Sequence, residues 1–354
     1  MPSPSPVSST GVLSQILADH YGLRVRDLVQ LPIGQGTVNY RATCDDGREM
    51  FVKNYPPGTD VDAELRAIGL SELARRRGIP AAPVVENAHG AFIDASTPHA
   101  VSVWQWMHGG VETVLNGTQT VQAGDALGRI HALFAPLPES SAPAPQADAW
   151  RNVDPARLEV TIDQLLKIIA ERTRTGVADT FDAEAERTLR ERRAMLERIP
   201  KLIAELPDHL TTQVLHSDFS PVNLLFDGDM LTAVLDFRPP EPFLLSYDVG
   251  RMAFYPNTVA TDPRWMQTAG TFIDTYRQAN PAVADADVLA CARVALLQLL
   301  TSLYGVKQHY LKPGLFQDDL DTFWLLRHQA VAELLAHLPD TDQFLADLVT
   351  AGPR

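Results

Sequence analysis

The sequence predicts an α+β fold in which a small antiparallel β-rich lobe precedes a large, mainly helical lobe. Short β-branched and aromatic runs, separated by Gly, Asp and Asn, alternate between residues 25 and 107. From about residue 110 apolar residues recur at helical spacing, and a β-like stretch at 213–237 interrupts this pattern. The expected domains are a disordered tail and helix start at 1–20, a first lobe at 21–104, a linker at 105–108 and a helical lobe at 109–354.

The first lobe is expected to be an antiparallel sheet with one inserted helix. A helix is predicted before the sheet, over 12–23, with an apolar side formed by Leu13, Ile16, Leu17 and Tyr21. Strands are predicted at 25–33, 38–44, 48–55 and 100–107. The Asp45-Asp46-Gly47 turn predicts a hairpin, and the inserted helix at 60–78 ends where Gly78 precedes Ile79-Pro80. The segment 83–104 is interpreted as a further hairpin.

The second lobe is expected to consist of helices joined by short connections. Helices are predicted at 119–137, 155–173 and 181–206, with a Pro/Ala/Ser connection at 136–148. Helical patterns resume near residue 245 and continue towards the C-terminus. No internal repeat is visible.

The acidic balance of the chain bears on the class of ligand. The 30 Lys and Arg against 44 Asp and Glu give a formal net charge of −14. This balance argues against a nucleic-acid-binding surface, which requires clustered basic residues. It favours a cationic small substrate through the long-range field, although acidic chains are also common for solubility alone.

Cysteine usage and apolar patterning indicate a cytoplasmic protein. Cys44 and Cys291 lie far apart without a CxxC motif, which excludes a disulfide framework and suits a reducing compartment. No apolar stretch is expected to reach the roughly 18 residues of a transmembrane helix. The Pro/Ser-rich start at 1–10 lacks the basic and apolar regions of a signal peptide.

The segment 214–226, VLHSDFSPVNLLF, places a polar loop between two apolar runs. Its residues His216 to Asn223 fit the H-x-D-x-x-x-x-N pattern of a phosphotransferase catalytic loop. An acceptor hydroxyl needs a carboxylate to orient it and take its proton, which is the role expected of Asp218. A neutral amide five residues on, at Asn223, can bind a divalent cation without competing as a base.

A second carboxylate follows at the end of the next apolar run. The predicted hairpin over 223–237 turns at Asp227-Gly228-Asp229 and brings Asp236 back beside Asn223. A carboxylate and an amide at adjacent strand ends predict a Mg²⁺ site once nucleotide phosphates add further oxygen ligands. The alternative is that Asp236 caps a turn.

Phosphotransfer chemistry also requires a lysine for the phosphates, a glycine turn and an acid that orients the lysine. Lys53 lies within an apolar strand, where an unpaired ammonium would be unfavourable. Glu64 is available from the following helix, although an acid there is also favoured by the helix dipole. The turn before the second strand supplies Gly34, Gly36, Thr37 and Asn39.

With these motifs the chain resembles the aminoglycoside phosphotransferase/choline kinase superfamily, whose fold is similar to that of protein kinases. The resemblance runs from about residue 20 to about 335 and is carried by GTVNY, FVK, LGRIHALF, HSDFSPVNLLF, VLDF and SYDVGRMAF in the family's order. RRRGIPAAPVV and DFRPPEPFLLSYDVG look most like type II homoserine kinases. The implied fold is a two-lobed protein-kinase-like one.

The resemblance implies roles for the residues that match. Asp218 would be the catalytic base, Asn223 and Asp236 the Mg²⁺ ligands, and Lys53, supported by Glu64, the contact to the α- and β-phosphates of ATP bound between the lobes. The linker at 105–108 would bind adenine through the backbone of Gln105 and Met107. His131, His216 and Asp248 match positions that are first of all structural.

Departures from the family pattern bear on the acceptor. Arg238 stands where many relatives have Gly or an aromatic residue, and it is expected to contact an acidic group or phosphates, or to pair with Glu241. Ser220 replaces the lysine of protein kinases, and no A-P-E motif follows, so a protein acceptor is not expected. Acceptor contacts are expected among Asp248, Tyr255, Tyr304, His309, Tyr310 and Trp324, several of which could be core residues instead.

The expected function is ATP- and Mg²⁺-dependent phosphorylation of a small-molecule hydroxyl by a monomer or homodimer that binds no nucleic acid or membrane. The acidic balance favours an aminoglycoside-like antibiotic as acceptor, by a narrow margin. The acidic run at 317–321 is a candidate contact for such a cation, but a solvated loop is the preferred interpretation. A homoserine- or choline-type metabolite is the alternative; homoserine would need Arg238 or Arg251 for its carboxylate. A non-catalytic pseudokinase is the third reading, but it leaves Lys53, Asp218, Asn223 and Asp236 together unexplained.

Overall fold

The computed structural model describes residues 10–32, 34, 36–97, 99–313 and 316–352. The predicted tail at residues 1–9 lies outside the described residues. By its contacts the chain divides into two compact units. The first comprises the residues up to Val111 together with Asn223–Pro240, and the second comprises Glu112–Val222 together with the residues from Glu241 onward.

The strands are β1 (Val25–Leu31), β2 (Val38–Cys44), β3 (Glu49–Tyr55), β4 (Val84–Val85), β5 (Ile93–Asp94), β6 (Ala100–Gln105), β7 (Gly110–Val111), β8 (Thr212–Val214), β9 (Leu224–Asp227), β10 (Met230–Val234) and β11 (Pro242–Leu244). The helices of the first unit are α1 (Thr10–Tyr21) and α2 (Val61–Arg76). Those of the second unit are α3 (Gly117–Phe134), α4 (Pro145–Arg151), α5 (Pro155–Thr175), α6 (Thr180–Met195), α7 (Ile199–Ala204), α8 (Leu245–Ala253), α9 (Pro256–Thr261), α10 (Trp265–Ala279), α11 (Asp285–Thr301), α12 (Val306–Leu311), α13 (Gln317–Ala336) and α14 (Leu338–Ala351). Short 3₁₀ turns lie at Pro138–Ser141, Leu196–Arg198 and Pro221–Asn223.

The first unit is built on an antiparallel sheet with the strand order β1-β2-β3-β6-β4, and β5 pairs with β6. The predicted Asp45–Gly47 turn joins β2 and β3, with Thr43 opposite Glu49. The apolar side of α1 packs on this sheet, as its pattern predicted, because Leu13, Ile16, Leu17 and Tyr21 join a core with Tyr40, Val52 and Val103.

The predicted hairpin at 83–104 has a different arrangement. Both β4 and β5 pair with β6, so the segment forms two separate short contacts to one strand. Between them, a turn closes through the Asn87 N–H, which donates to the Ala91 carbonyl at 2.8 Å. Pairing with the long strand β6 satisfies more backbone groups than pairing two dipeptides with each other would.

The hairpin β9–β10 belongs to the first unit, whereas the sequence-based boundaries placed it in the helical lobe. Its strands pair as predicted around Gly228, with Met230 opposite Asp227. β9 also pairs with β7, and the Val234 N–H donates to the Pro80 carbonyl at 2.9 Å. Gly109 allows the close approach to β9, since a Cβ there would lie 2.9 Å from the Phe226 carbonyl oxygen at a φ of +139°. These contacts attach Asn223 and Asp236 to the first unit.

The second unit is helical, with one small sheet. In it, β8 pairs with the distant β11, placing Gln213 opposite Phe243. The catalytic loop that follows β8 therefore connects strands of two different sheets. The predicted connection at 136–148 is more structured than expected, since it holds a 3₁₀ turn and the start of α4. The predicted helix over 181–206 divides into α6 and α7.

The segment 285–311 corrects one expectation drawn from the sequence. It is long and apolar enough to cross a membrane by length and composition, although no such stretch was expected. Two thirds of its most apolar window (67%) is buried inside the structure, and a core helix of a globular unit passes the same test. One such segment is weak evidence for a membrane. Here it forms α11 and α12, and buried residues such as Leu296 and Leu300 contribute to the core.

Candidate active site

Lys53 lies in the middle of the first unit's sheet and pairs with two carboxylates. Its Nζ lies 3.6 Å from Glu64 Oε2 and 3.6 Å from Asp236 Oδ1. The ammonium also lies 5.3 Å from the ring centre of Tyr55. The side chain is 22% exposed, so these partners offset the partial loss of water around the charge. The predicted Lys53–Glu64 pair is therefore present.

Asn223 and Asp236 meet at the open end of the β9–β10 hairpin. The Leu235 N–H donates to the Asn223 carbonyl at 2.8 Å, which places Asp236 one residue beyond the pairing. Asp236 has a φ of +61°, a left-handed conformation that is unfavourable for a residue with a Cβ. Such strain persists where the surrounding structure holds the residue in place, and it is typical of functional sites. Arg238 lies 3.5 Å from Asp236 Oδ2.

The oxygen donors of this pair fit a magnesium ion. Mg²⁺ prefers carboxylate, amide and phosphate oxygens, and in nucleotide sites it is held by one or two protein groups with the phosphates. Among the described residues no cluster of three or more His, Cys, Asp and Glu forms a complete metal site. Asn223 and Asp236 therefore suit a cation that is shared with a nucleotide.

The glycine turn precedes β2 and lies against Asn39 of that strand, a residue predicted to contact the phosphates. Gly34 has a φ of +94°, and a Cβ at this position would lie 2.3 Å from Asn39 Nδ2. The Thr37 hydroxyl donates to Asn39 Oδ1 at 3.2 Å. Asn39 lies directly opposite Lys53 in the β2–β3 pairing, so both side chains lie on one face of the sheet. Gly36 also has a positive φ, of +81°, but no atom would meet its Cβ within 4 Å.

The linker predicted at 105–108 follows β6, and part of its backbone is already paired. The Gln105 N–H donates to the Pro83 carbonyl at 2.9 Å, so only the carbonyl of Gln105 remains a candidate for adenine. The Trp106 N–H donates to the Glu49 carbonyl at 3.1 Å, and the His108 carbonyl accepts from the Thr232 hydroxyl at 2.8 Å. For Met107 no backbone hydrogen bond is found within the described part of the chain.

In the second unit, the catalytic loop holds Asp218 in an ion pair. Asp218 Oδ1 accepts a hydrogen bond from Arg251 Nη2 of α8. The Asp218 N–H lies 3.3 Å from Nδ1 of the buried His216, which orients the loop as a structural residue. Ser220 is fully buried and its hydroxyl donates to the Asp218 carbonyl at 3.3 Å, which argues against a contact with the acceptor.

A buried chain of hydrogen bonds through Asp248, His131 and Tyr276 supports this loop. The Ser217 N–H donates to Asp248 Oδ2 at 2.9 Å, and Ser217 has a φ of +68°. His131 Nε2 lies 3.5 Å from the same oxygen, and its Nδ1 lies 2.8 Å from the Tyr276 hydroxyl. Burial acts to raise the pKa of Asp248, but the hydrogen bond and charge of His131 outweigh it, so this pKa lies below its usual value. Asp248 therefore supports the loop, and its contact with the acceptor stays a prediction.

Three other residues predicted to contact the acceptor have structural partners. His309 Nδ1 lies 2.8 Å from Asp321 Oδ2, and its Nε2 lies 3.5 Å from Asp179 Oδ2. The Tyr310 hydroxyl donates to Asp182 at 2.9 Å, and the buried Trp324 donates to the Thr188 hydroxyl. His309, Tyr310 and Trp324 thus have partners within the second unit, and their contact with the acceptor stays a prediction. The acidic run at 317–321 forms the first turn of α13, where the helix dipole favours carboxylates.

Tyr255 lies near Arg251 and Arg327, and the sequence did not single out Arg327 as a candidate. The rings of Tyr255 and Tyr304 are both close to Phe323, with centroids at 5.9 Å and 6.4 Å. The missed residue is Arg327, whose guanidinium lies 5.6 Å from the same ring. It is 7% exposed and stands in the apolar run WLLRHQAV of α13. The position of this arginine within an apolar helical run is the sequence feature that could have identified it.

Comparison with known proteins is consistent with these motifs. Residues 27–286 match the model of a phosphotransferase enzyme family. The chain belongs to this family. The expectation that it is a phosphotransferase of the aminoglycoside phosphotransferase superfamily is therefore confirmed.

Curated relatives of the chain are similar at low identity. A homoserine kinase of Methylobacterium nodulans is 26% identical over 244 residues, which cover 67% of each chain. A homoserine kinase of Beijerinckia indica subsp. indica is 26% identical over 170 residues, or 48% of this chain and 46% of the relative. The second match thus spans about half the relative's length.

Solved structures with the same fold include several kinases. A spectinomycin phosphotransferase in complex with ADP and spectinomycin has a TM-score of 0.61 at 14% identity, covering 93% of this chain and 99% of that one. An amicoumacin kinase in complex with AMP-PNP and Ca²⁺ gives 0.62 at 15%, covering 92% and 94%. A microcompartment-associated aminopropanol kinase gives 0.59 at 15%, covering 95% and 100%. The predicted protein-kinase-like α+β fold is confirmed.

Proposed function

We propose that this phosphotransferase moves the γ-phosphate of ATP, with Mg²⁺, to a hydroxyl group of a small molecule in the cytoplasm. The observation that carries the proposal is the position of Lys53, 3.6 Å from both Glu64 and Asp236, in the unit that also holds Asn223. A lysine that pairs with an orienting glutamate and with a metal-binding aspartate is the arrangement that nucleotide phosphates require.

Each residue of the first unit has a defined task in this proposal. Lys53 binds the α- and β-phosphates as a point charge, and Glu64 keeps its ammonium in place. Asn223 and Asp236 would hold the Mg²⁺, which would neutralise negative charge on the phosphates. The Gly34–Asn39 turn covers the phosphates, and the Gln105 carbonyl with the Met107 N–H binds the adenine.

Asp218 is the residue of the second unit that acts on the acceptor. Its carboxylate accepts the proton of the acceptor hydroxyl while the hydroxyl oxygen bonds to the γ-phosphorus and the bond to ADP breaks. In the structure without substrates this carboxylate is held in an ion pair with Arg251. Ser217 N–H and Asp248 hold the loop so that Asp218 keeps its direction.

Two acceptor classes remain, each favoured by a different observation. The net charge of −14 favours a cationic antibiotic, and two neighbours of the same fold are named for spectinomycin and amicoumacin. The curated relatives are named homoserine kinases, which favours a hydroxylated metabolite. The charges of Arg251 and Arg327 near Tyr255 favour a metabolite that carries a negative group.

The proposal is tested by acceptor-dependent ATP turnover with Mg²⁺ over a panel of aminoglycosides, choline, homoserine and simple hydroxy acids. We expect at least one acceptor to stimulate ADP formation, and Asp218→Asn to lower this rate about 10²- to 10⁴-fold. Nucleotide binding by the variant is the control, because Asp218 belongs to the acceptor side. A variant that turns over as fast as the wild type would remove Asp218 from the role of base.

A further inference from the structure

Arg251 and Arg327 bring two positive charges to the neighbourhood of Asp218 in the second unit. Arg251 lies on α8 and pairs with Asp218, while its Nε finds no hydrogen-bond partner among the described residues. Arg327 lies on α13 and is 7% exposed. Its Nε and Nη2 likewise have no hydrogen-bond partner in the described part of the chain.

The carboxylates nearby balance Arg251 but not Arg327. Burial acts to lower the pKa of Arg251, but the charges of Asp218 and Asp248 raise it above its usual value. Burial and the charge of Arg251 lower the pKa of Arg327 to about 10. Arg327 in turn adds to burial in lowering the pKa of Arg192, to about 9. Asp218 is the carboxylate that pairs with Arg251, and Asp248 already binds the loop and His131. An uncompensated buried guanidinium is strongly unfavourable, so a further anion would stabilise this region.

The tyrosines around the arginines supply hydroxyl groups and no negative charge. Burial raises the pKa of Tyr255 to about 12, so its phenol stays protonated at neutral pH. Burial also raises the pKa of Tyr247, whose hydroxyl accepts from Gln298 Nε2 at 2.9 Å. The rings of Tyr255 and Tyr304 lie against Phe323, beside the Arg327 guanidinium. The surroundings are rich in donors, which suits an anionic ligand.

Arg192 is a buried arginine of a different kind. Its Nη1 donates to the Leu299 carbonyl, and its guanidinium lies 4.9 Å from the ring centre of Trp324. It is fully buried and is not paired with Asp218, so it serves the core. Of these three arginines, Arg251 and Arg327 are the ones whose surroundings suit a contact with an acceptor.

We propose that Arg251 and Arg327 bind a carboxylate of the acceptor, which makes the acceptor a small hydroxy acid, with or without an amino group. The proposal rests on the proposed function for the identity of the reaction. A guanidinium binds a carboxylate through two parallel hydrogen bonds, and this geometry gives both affinity and orientation. A polycationic antibiotic would instead meet two like charges.

Because Asp218 pairs with Arg251, a carboxylate on the acceptor would also change the state of Asp218. An acceptor carboxylate competes with Asp218 for the Arg251 guanidinium, and Asp218 then exchanges this partner for the acceptor hydroxyl. The base thus becomes available when a group with the right charge is bound. A hydroxyl compound without a carboxylate leaves Asp218 paired with Arg251.

Binding is measured on the full chain with Mg²⁺ and a non-hydrolysable ATP analogue, using matched pairs of probes. The pairs are 4-hydroxybutyrate with 4-hydroxybutyramide, homoserine with homoserine amide, and serine with serinamide. We expect at least one acid to raise the Tm and to bind about tenfold or more tightly than its amide. Amides that bind as well as the acids, or acids that bind nowhere in the panel, would overturn the proposal.

Variants test the contribution of Arg327 directly. Arg327→Gln is expected to raise the KM of the acid about tenfold or more and to abolish the preference over the amide, whereas Arg327→Lys retains part of it. Arg293→Gln is the matched control, because this arginine pairs with Glu205 and Asp342 and is 17% exposed. It should keep the preference. An unchanged preference in a folded Arg327→Gln variant would contradict the proposal.

The two proposals fail in different ways. Suppose that alcohols without a carboxylate are phosphorylated as fast as the acids, and that this rate depends on Asp218. The carboxylate subsite would then be refuted, whereas the proposed kinase activity would stand. If the acids bind more tightly than their amides but no acceptor is phosphorylated, the subsite would stand and the proposed reaction would be refuted.

Discussion

At the scale of single residues, Lys53 shows why a charged side chain stands in an apolar strand. Its neighbours in β3 are buried, yet the ammonium has Glu64 and Asp236 as partners at 3.6 Å. The strand could be predicted from its β-branched and aromatic residues, and the cost of an unpaired charge predicted that a partner exists. Asp236 as the second partner could not be predicted, because it is 183 residues away in the sequence.

Replacing Lys53 by Met is expected to abolish the rise in Tm that ATP and Mg²⁺ produce. The variant loses the charge that binds the phosphates, while its apolar stem can still pack in the strand. Lys201→Met is the control, because Lys201 is 75% exposed and pairs with the nearby Glu205. An unchanged nucleotide shift in Lys53→Met would exclude Lys53 from the nucleotide site.

Asp248 is expected to produce a pH-dependent contribution to stability. Its pKa in the folded chain lies below the ordinary value of 3.8, so the unfolded chain takes up the proton at higher pH. The contribution is fully present above pH 3.8 and is lost as the pH falls through the folded pKa. Asp248→Asn should therefore be less stable than the wild type at neutral pH, and the difference should shrink below about pH 4.

Asp287→Asn is the control with the opposite sign. Burial raises the pKa of Asp287 above 3.8, although the Thr211 N–H donates to it at 2.9 Å. The wild type should therefore lose stability relative to this variant as the pH rises above about 4. Urea denaturation of the three proteins between about pH 3 and pH 7 measures both trends, and parallel curves would contradict the assignments.

At the scale of elements, the β9–β10 hairpin could be predicted and the β8–β11 pair could not. The hairpin is local, with Gly228 at the turn and the strands adjacent in sequence. β8 and β11 are separated by the whole catalytic loop and the hairpin, and residues 212–214 and 242–244 carry no pattern that selects one as the partner of the other. Long-range pairing of three-residue strands depends on tertiary contacts, and the pattern of apolar residues in the sequence carries no information about these.

The glycine turn before β2 gives a prediction at this scale. Gly34→Ala brings a Cβ to within 2.3 Å of Asn39 Nδ2 in a residue that already has a positive φ. Gly36→Ala has the same conformational penalty, of about 1–3 kcal/mol, without a contact. We therefore expect Gly34→Ala to lower the Tm further and to weaken ATP binding more, since Asn39 lies opposite Lys53. Equal effects of the two variants would show that the Asn39 contact is unimportant.

At the scale of the whole molecule, net charge predicted a cationic acceptor, whereas the buried charges favour an anionic one. The value of −14 counts every side chain equally, although most of the acids are exposed or paired on helix surfaces. Arg251 and Arg327 come from α8 and α13, 76 residues apart in the sequence, and only folding brings their charges close enough to interact. A motif search finds the loop around Asp218 because its residues are contiguous, but it cannot find such a pair.

The most direct test of the account is the detection of a phosphorylated hydroxyl compound. The wild-type chain, Mg²⁺ and γ-labelled ATP are incubated with the hydroxy acids and their amides, and labelled phosphate esters are separated from labelled ATP and inorganic phosphate. We predict a labelled ester with the acid, a much weaker one with its amide, and about 10²- to 10⁴-fold less of either with Asp218→Asn. Label that stays in ATP or appears only as inorganic phosphate with every acceptor, antibiotics included, would contradict the account.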